Sequence, residues 1–371
     1  MADAYSTTIA EGFSNKLMLE VYDRSLLDEI VNRDYEGEIN DVGSVLNILN
    51  IARISEKNYT GANLTVDDLY ENNSRLVIDQ QKSFYWREKT IDKWKSYIKD
   101  PHSTVVAQKA DERNKNMDSY AFGFYGDVAA GNRIGTSYTT GTVTVTNSTG
   151  AVVGSGTTFT AAMVGRGFKA DGHTKWYRIA SVADTENLVI VDDLDDVSAA
   201  YTGGAISGGS SFEIEAATPI QITLSNLLQK VGALKLKLDK AEANGKSAVP
   251  AEGRWLLMPP EFETLATTGA TGITLHVPEV YEELIKKGMV TMLQGFKVFI
   301  TNRLTGDNTD GFHCLAGHPN WMTFAEKLLE SGIEDLIGNF GTAYKDLFVY
   351  GAKVTDSRRH YAAELFATFN V

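Results

Sequence analysis

Residues 100–131 read DPHSTVVAQKADERNKNMDSYAFGFYGDVAAG, and their pattern organises the rest of the chain. Pro101 fixes φ and suits a helix start rather than a helix interior. Behind it, Val106, Ala110, Met117, Ala121 and Phe124 recur at steps of about 3.6 residues, which predicts one long amphipathic helix. Ser103 is placed to cap its start and Gly131 to stop it. Gln108, Lys109, Asp111, Glu112, Arg113 and Lys115 cover the other side, so one face is expected on a core and the other in water.

Upstream, residues 1–42 carry Leu17, Val21, Leu26, Leu27 and Ile30, enough for a short helix but too little for a core. An arm lying on the body or on a neighbour is the expected outcome. Residues 43–82 hold two β-like stretches, SVLNILNIARI and RLVIDQQ, around the polar SEKNYTGANLTVDDLYENNS. An isolated two-stranded ribbon is marginal in water, so support from another subunit is expected. Arg53, Glu56, Lys57, Asp67, Asp68, Glu71 and Arg75 are the charged groups available for such contacts. Residues 83–100, SFYWREKTIDKWKSYIKD, bring Phe84, Trp86, Trp94, Tyr97 and Ile98 together as a packing junction ahead of the helix; a nucleic-acid stacking platform would need a basic groove.

Downstream the composition changes. Residues 134–215 are rich in Gly, Thr, Ser and Val, with TGTVTVTN, GAVVGSGTTF, KWYRIASVA and NLVIVDDL separated by turn residues. Short strands in that rhythm predict a small β-barrel or sandwich inserted at a surface turn, with Gly203–Gly209 as its exit linker. After it, 222–245 predicts a second helix striped by Leu224, Leu227, Leu228, Val231, Leu234 and Leu238. RWLLM and GFKVFITNRL read as strands, VPEVYEELIKKGMVTML as a helix, and GFHCLAGHPNWMTFAEKLLES as a strand followed by a short helix. Two closing strands flank a turn at Thr355–Arg358, giving a mixed α+β body.

The 371 residues are 43% hydrophobic and 22% charged, ordinary for globular protein of two or three units. A net charge of −13 argues against gripping nucleic acid through phosphate neutralisation. Cys314 is the one cysteine, so no intrachain disulfide is expected. The N-terminal residues lack a basic region followed by an apolar core, so no secretory signal is read there. No window reaches the roughly 18 to 20 uncharged apolar residues that cross a bilayer.

Sites for chemistry are weak. ANGKS at 243–247 follows a predicted helix and lacks the upstream glycine of a phosphate loop. His313, Cys314 and His318 lack a fourth ligand in a zinc spacing. Asp192, Asp193, Asp195 and Asp196 form the only carboxylate cluster that suggests a hard cation, and they read better as a solvated acidic turn. No nucleophile elbow is present. No enzyme, cofactor or metal is expected.

The order of parts, and NRDYEGEI followed by GSVLNI and IARISEKNY, resembles the major capsid protein of tailed bacteriophages, the Hong Kong 97 type fold. The resemblance implies an N-terminal arm at 1–42, an extended loop at 43–82, and a peripheral domain from 83–133, 216–252 and the C-terminal strands at 345–371. It further implies an axial domain at 253–344, with 134–215 as an added β domain projecting outward. It implies self-assembly into pentamers and hexamers of a closed icosahedral shell around double-stranded DNA, made in the host bacterial cytoplasm and ending in the virion. A separate scaffolding protein is expected because the arm begins almost at Met1, with a portal and a decoration protein as further partners and no membrane. Lys57 sits near the loop tip, but no crosslinking partner is identifiable, so no covalent crosslink is expected. The alternative readings are an encapsulin-like compartment without a virus, and a tail or adhesin-type protein that binds through the β domain.

Overall fold

The structure, a computed structural model, describes residues 25–35, 45–51, 71–90, 101–192, 201–241, 247–268, 292–336 and 340–371. In chain order come α1 (Leu27–Ile30), the hairpin strands β1 (Val45–Ile51) and β2 (Glu71–Val77), β3 (Gln80–Lys89), the long helix α2 (Pro101–Phe122) and β4 (Arg133–Ile134). Eight strands follow: β5 (Thr136–Tyr138), β6 (Thr142–Val145), β7 (Ala151–Ser155), β8 (Gly167–Ala170), β9 (Tyr177–Val182), β10 (Asn187–Val191), β11 (Ile206–Ser210) and β12 (Phe212–Thr218). Then come β13 (Ile220–Ile222), α3 (Leu227–Asp239), β14 (Trp255–Met258), α4 (Pro260–Thr268), β15 (Met292–Leu293) and β16 (Phe296–Ile300). The chain closes with β17 (Phe312–Gly317), β18 (Met322–Asp335), β19 (Gly341–Val354) and β20 (Ala362–Phe369).

These strands sort into a mixed sheet of order β13-β20-β17-β14-β16-β15 with β4 also on β20, a three-stranded sheet β18-β19-β3, the β1-β2 hairpin, and an eight-stranded sheet. The mixed sheet holds the main core. All four residues of WLLM in β14 are buried, as a strand covered on both faces requires. Leu227, Val231, Leu234 and Leu238 of α3 pack into the same core, at the spacing that the sequence predicts. Met117, Ala121 and Phe122 of α2 join them, as do Leu27, Ile30 and Val31, so this part of the N-terminal region lies on its own body.

The eight-stranded sheet runs β11-β6-β7-β10-β9-β8-β12-β5 and encloses a separate core of Val143, Val145, Val152, Phe159, Phe168, Tyr177, Ile179, Leu188, Ile190, Phe212 and Ile214. Its entry and exit are adjacent. β4 pairs parallel to β20 through Arg133 opposite Glu364 and Ile134 opposite Leu365, and β13 resumes on the same edge with Ile220 opposite Ala367. One residue position, opposite Phe366, separates the two segments. β17 occupies the other edge of β20.

Several expectations fail for identifiable reasons. Helix α2 begins at Pro101, which puts Ser103 inside its first turn and not at its cap, and ends at Phe122 short of the expected Gly131 stop, where Gly123–Asp127 form a tighter 3-10 turn. Its apolar stripe holds only in the C-terminal half, because Val106 is 45% exposed and Ala110 is exposed too. The N-terminal half crosses the three-stranded sheet through cations instead, with Lys109 over the Phe84 ring and Arg113 over Phe348. The aromatic stretch at 83–100 begins as β3, where Trp86 stacks on Tyr344, so Phe84 and Trp86 pack on a half-buried sheet face; Trp94, Tyr97 and Ile98 lie outside the described residues. Residues 322–335, expected to start as a helix, form one long strand because thirteen of the fourteen residues pair along β19 and tertiary pairing overrides the local preference of AEKLLE. The glycine-rich exit linker is β11, paired with β6. α3 stops at Asp239 and the Gly245 stop falls outside the described residues, as do residues 277–291 of the helix expected at 277–293, while its last two residues, Met292–Leu293, form β15 on β16. The closing strands also part company, because β19 pairs with β3 whereas β20 belongs to the mixed sheet.

Asp118 ties three of these segments together. Its fully buried carboxylate accepts from Ser25 Oγ at 2.8 Å and Leu26 N–H at 3.4 Å and pairs with Arg303. Removing one member of such a buried set leaves an uncompensated charge. Asp118→Ala is expected to lose about 3–5 kcal/mol of stability, read by chemical denaturation; a loss under about 1 kcal/mol would show that Arg303 finds other solvation.

Candidate functional site

The hairpin strands β1 and β2 present one face to water and an apolar one to the body. Arg53, Glu56, Lys57, Asp67 and Asp68 lie outside the described residues, and so do Asp193, Asp195 and Asp196. Glu71 opens β2 opposite Ile51, and Arg75 pairs with Asn47 and is exposed. Alternation along β2 buries Ser74 and Leu76 and turns Arg75 and Val77 to water. Ile48, Leu76 and Ile78 pack against Ala325 of β18 and Val349 of β19. The root of the hairpin is therefore supported by its own chain, which corrects the expectation that it needs a neighbour throughout.

No metal-binding cluster of His, Cys, Asp or Glu occurs among the described residues. Asp192 is no solvated turn residue. It is nearly buried, accepts from Lys175 Nζ at 3.0 Å and is bonded by the Thr202 hydroxyl. His313 and Cys314 are neighbours on β17 and so point to opposite faces. His313 Nδ1 meets Glu364 at 2.6 Å, His318 Nδ1 accepts from Asn320 N–H, and burial pushes the Cys314 thiol up. None of these groups is placed to act on a substrate together. No helix among the described residues is long and apolar enough to cross a membrane.

Two other features stand out. The three-stranded sheet carries exposed apolar side chains, Tyr85 at 67%, Ile333 at 71% and Phe340 at 86%, with β18 and β3 as its outer strands. Outer strands and bare apolar groups are what self-associating proteins offer one another. Sequence pattern alone missed this surface, since β18 reads as helical.

The second is a buried ionic junction where the eight-stranded sheet meets β20. Arg166 donates from Nη1 to both oxygens of Glu364, at 2.8 and 2.9 Å. Arg133 Nε lies 3.6 Å from Glu364 and 3.7 Å from Glu215, while its Nη2 donates to the carbonyls of Gly126 and Val128. Glu215 Oε2 accepts from Gly131 N–H at 2.7 Å. The His313 ring is stacked between Tyr125 and Phe366. A lone Arg or Glu inside a β-rich stretch gives no sequence signal for such a cluster.

Residues 178–363, just over half of the chain, match the family described as phage capsid protein. No curated protein matches the chain in sequence. Among solved structures, a chain from Mycobacterium phage Che8 is similar over 99% of this chain and 98% of its own, with 15% identity and a TM-score of 0.58. The capsid structure of Cyanophage P-SCSP1u matches over 98% and 94%, with 14% identity and a TM-score of 0.55. The capsid of Ralstonia phage GP4 matches over 99% and 98%, with 13% identity and a TM-score of 0.53. At these identities the likeness is one of fold.

The junction acids are driven in opposite directions. Burial pushes Glu215 up to about 7, against the pull of Arg133 and the Gly131 N–H. Burial also raises Glu364, but Arg166, the His313 hydrogen bond and Arg133 outweigh it and hold that carboxyl down to about 2. A raised carboxyl favours the fold below its ordinary value near 4.5, and that contribution is lost as pH climbs to about 7. A lowered one favours the fold above 4.5 and is lost as pH falls towards 2. Relative to wild type, Glu215→Gln is therefore expected to gain on the order of 2 to 3 kcal/mol between pH 5 and 8, read from paired thermal melts. A pH-independent difference would assign the gain to packing.

Proposed function

The chain belongs to the phage capsid protein family, and from that premise we propose that it is the shell subunit of a tailed-phage head, assembling as pentamers and hexamers around double-stranded DNA. The observation that carries this reading is the family match over 178–363, joined to a fold shared from end to end with phage capsid chains. Its location is the virion capsid, and the mixed α+β body is a structural one. The exposed apolar shelf of the three-stranded sheet supports contact between copies. The net charge of −13 suits a container that holds DNA without adhering to it.

Within the Hong Kong 97 type, 1–42 is the arm and 43–82 the extended loop, with Arg53, Glu56, Lys57, Asp67, Asp68, Glu71 and Arg75 as contacts to neighbours. The sharing of strands supports moving two boundaries from their linear places. β18 and β19 go with β3 and α2 as the peripheral domain, and β20 goes with β14 to β17, α3 and α4 as the axial domain. The single missing position between β4 and β13 supports reading 136–219 as an insertion into one edge strand. An outward-facing knob is the reading that leaves the shell interior free for DNA. A separate scaffolding protein, a portal and a decoration protein remain the proposed partners, with assembly in the host bacterial cytoplasm.

The purified protein is expected to sediment as closed shells visible by negative-stain microscopy; a permanently monomeric chain would end this reading. Deleting Thr136–Pro219 while keeping Gly135 opposite Phe366 joins Ile134 to Ile220 in register, and removes Arg166 and Glu215 together so that Glu364 still has Arg133 and His313 as partners. That variant is expected to unfold cooperatively and to form shells lacking the knob in image reconstructions. Insoluble or unfolded product would mark the eight-stranded sheet as integral to the fold, and knob density inside wild-type shells would overturn its outward placement.

A further inference from the structure

The eight-stranded unit and the mixed-sheet body keep separate apolar cores with no residue in common. Between the cores lie the two chain crossings and a set of charges. Arg166 grips Glu364 and covers the Phe366 ring at 4.9 Å, Arg178 faces Asp127 at 3.6 Å, and Glu215 takes the Gly131 N–H. An apolar interface would hold at any pH. A buried ionic one gains little net energy and depends on every partner being in the right charge state.

We propose that the unit is docked by a proton-operated latch: Glu215 seats against Gly131 and Arg133 as the neutral acid, and its ionisation loosens the unit about the crossings at 134–136 and 218–220. The seat is dry and tight. A Cβ added at Gly167 would lie 2.3 Å from Glu215 Oε1, so the backbone of β8 leaves no space there for a hydrating water. The groups facing the carboxyl come from each element packed on it: Arg133 of β4, Gly131 N–H, Lys237 of α3 and Glu364 of β20, and Glu364 in turn holds His313 of β17 and Arg166 ahead of β8. Lys237 also donates to the Gly131 carbonyl, tying α3 to the same turn. Burial brings the titration of Glu215 to near neutral pH, whereas Glu364 stays ionised and keeps Arg166 tethered. The unit therefore loosens without leaving.

Hydrogen exchange of the full-length protein at pH 6 and pH 8, corrected for intrinsic rates, tests the latch. Protection of Gly131 and of residues 164–168 is expected to fall roughly tenfold at pH 8, the size set by one unit of differential proton binding. Strands β9 and β10 inside the unit should stay unchanged. Glu215→Gln should erase the pH difference, and Lys237→Gln, which removes a cation favouring the ionised form, should move the midpoint to higher pH. An unchanged pattern in wild type overturns the proposal, as does a difference that survives Glu215→Gln and vanishes in His313→Asn. Should Glu215→Gln fail to fold, a Lys237→Gln midpoint that does not move serves to reject it.

Discussion

The mixed sheet and the eight-stranded unit meet at β20. Ala362–Phe369 is a central strand, so both of its edges must be satisfied, and three distant segments do so: β17 on one side, β4 and β13 end to end on the other. An unpaired edge in that position would leave buried N–H and C=O groups without partners, at a cost that a marginally stable fold does not absorb. The chain therefore has to return to the same edge after some eighty residues of separate β structure, and the position that it returns to is dictated by register.

The charges at this crossing follow from the same constraint. Glu364 sits on β20 with 0% exposure, and a carboxylate there survives only if cations reach it from outside the strand. Arg133 comes from the segment entering the unit and Arg166 from within it, so the unit supplies part of the counter-charge that its host strand requires. Glu215 is the inverse case, a carboxyl whose burial outweighs the pull of Arg133 and Lys237. In the body, burial raises Asp118 likewise, although Ser25 and Arg303 bring the N-terminal segment and a loop after β16 onto α2 as its partners.

Helix α2 shows how one element serves two layers. Its C-terminal half is core, through Met117, Ala121 and Phe122, and its N-terminal half rides over β3 and β19 on Lys109 and Arg113. Lys109 also pairs with Asp346, which accepts from Ser331, so the helix is pinned across all three strands of that sheet. A packing layer made of cations over rings holds its place with little apolar area, which leaves the far end of the sheet bare at Ile333 and Phe340.

Local pattern determined a good deal by itself. Pro101 set the start of the long helix, Leu227 to Leu238 set the buried stripe of α3, the Thr, Val and Gly rhythm after 134 set a β unit with its own core, and the order of parts set the phage capsid family. Each of these depends on neighbours in sequence, where period and turn chemistry act directly. Tertiary structure alone decided that AEKLLE would be a strand, that β19 and β20 would enter different sheets, and that Arg133, Arg166, Glu215, Glu364 and His313 would meet. Those outcomes rest on pairing and desolvation between residues up to about 270 positions apart, whose energies exceed any local preference and leave no mark in a window of sequence.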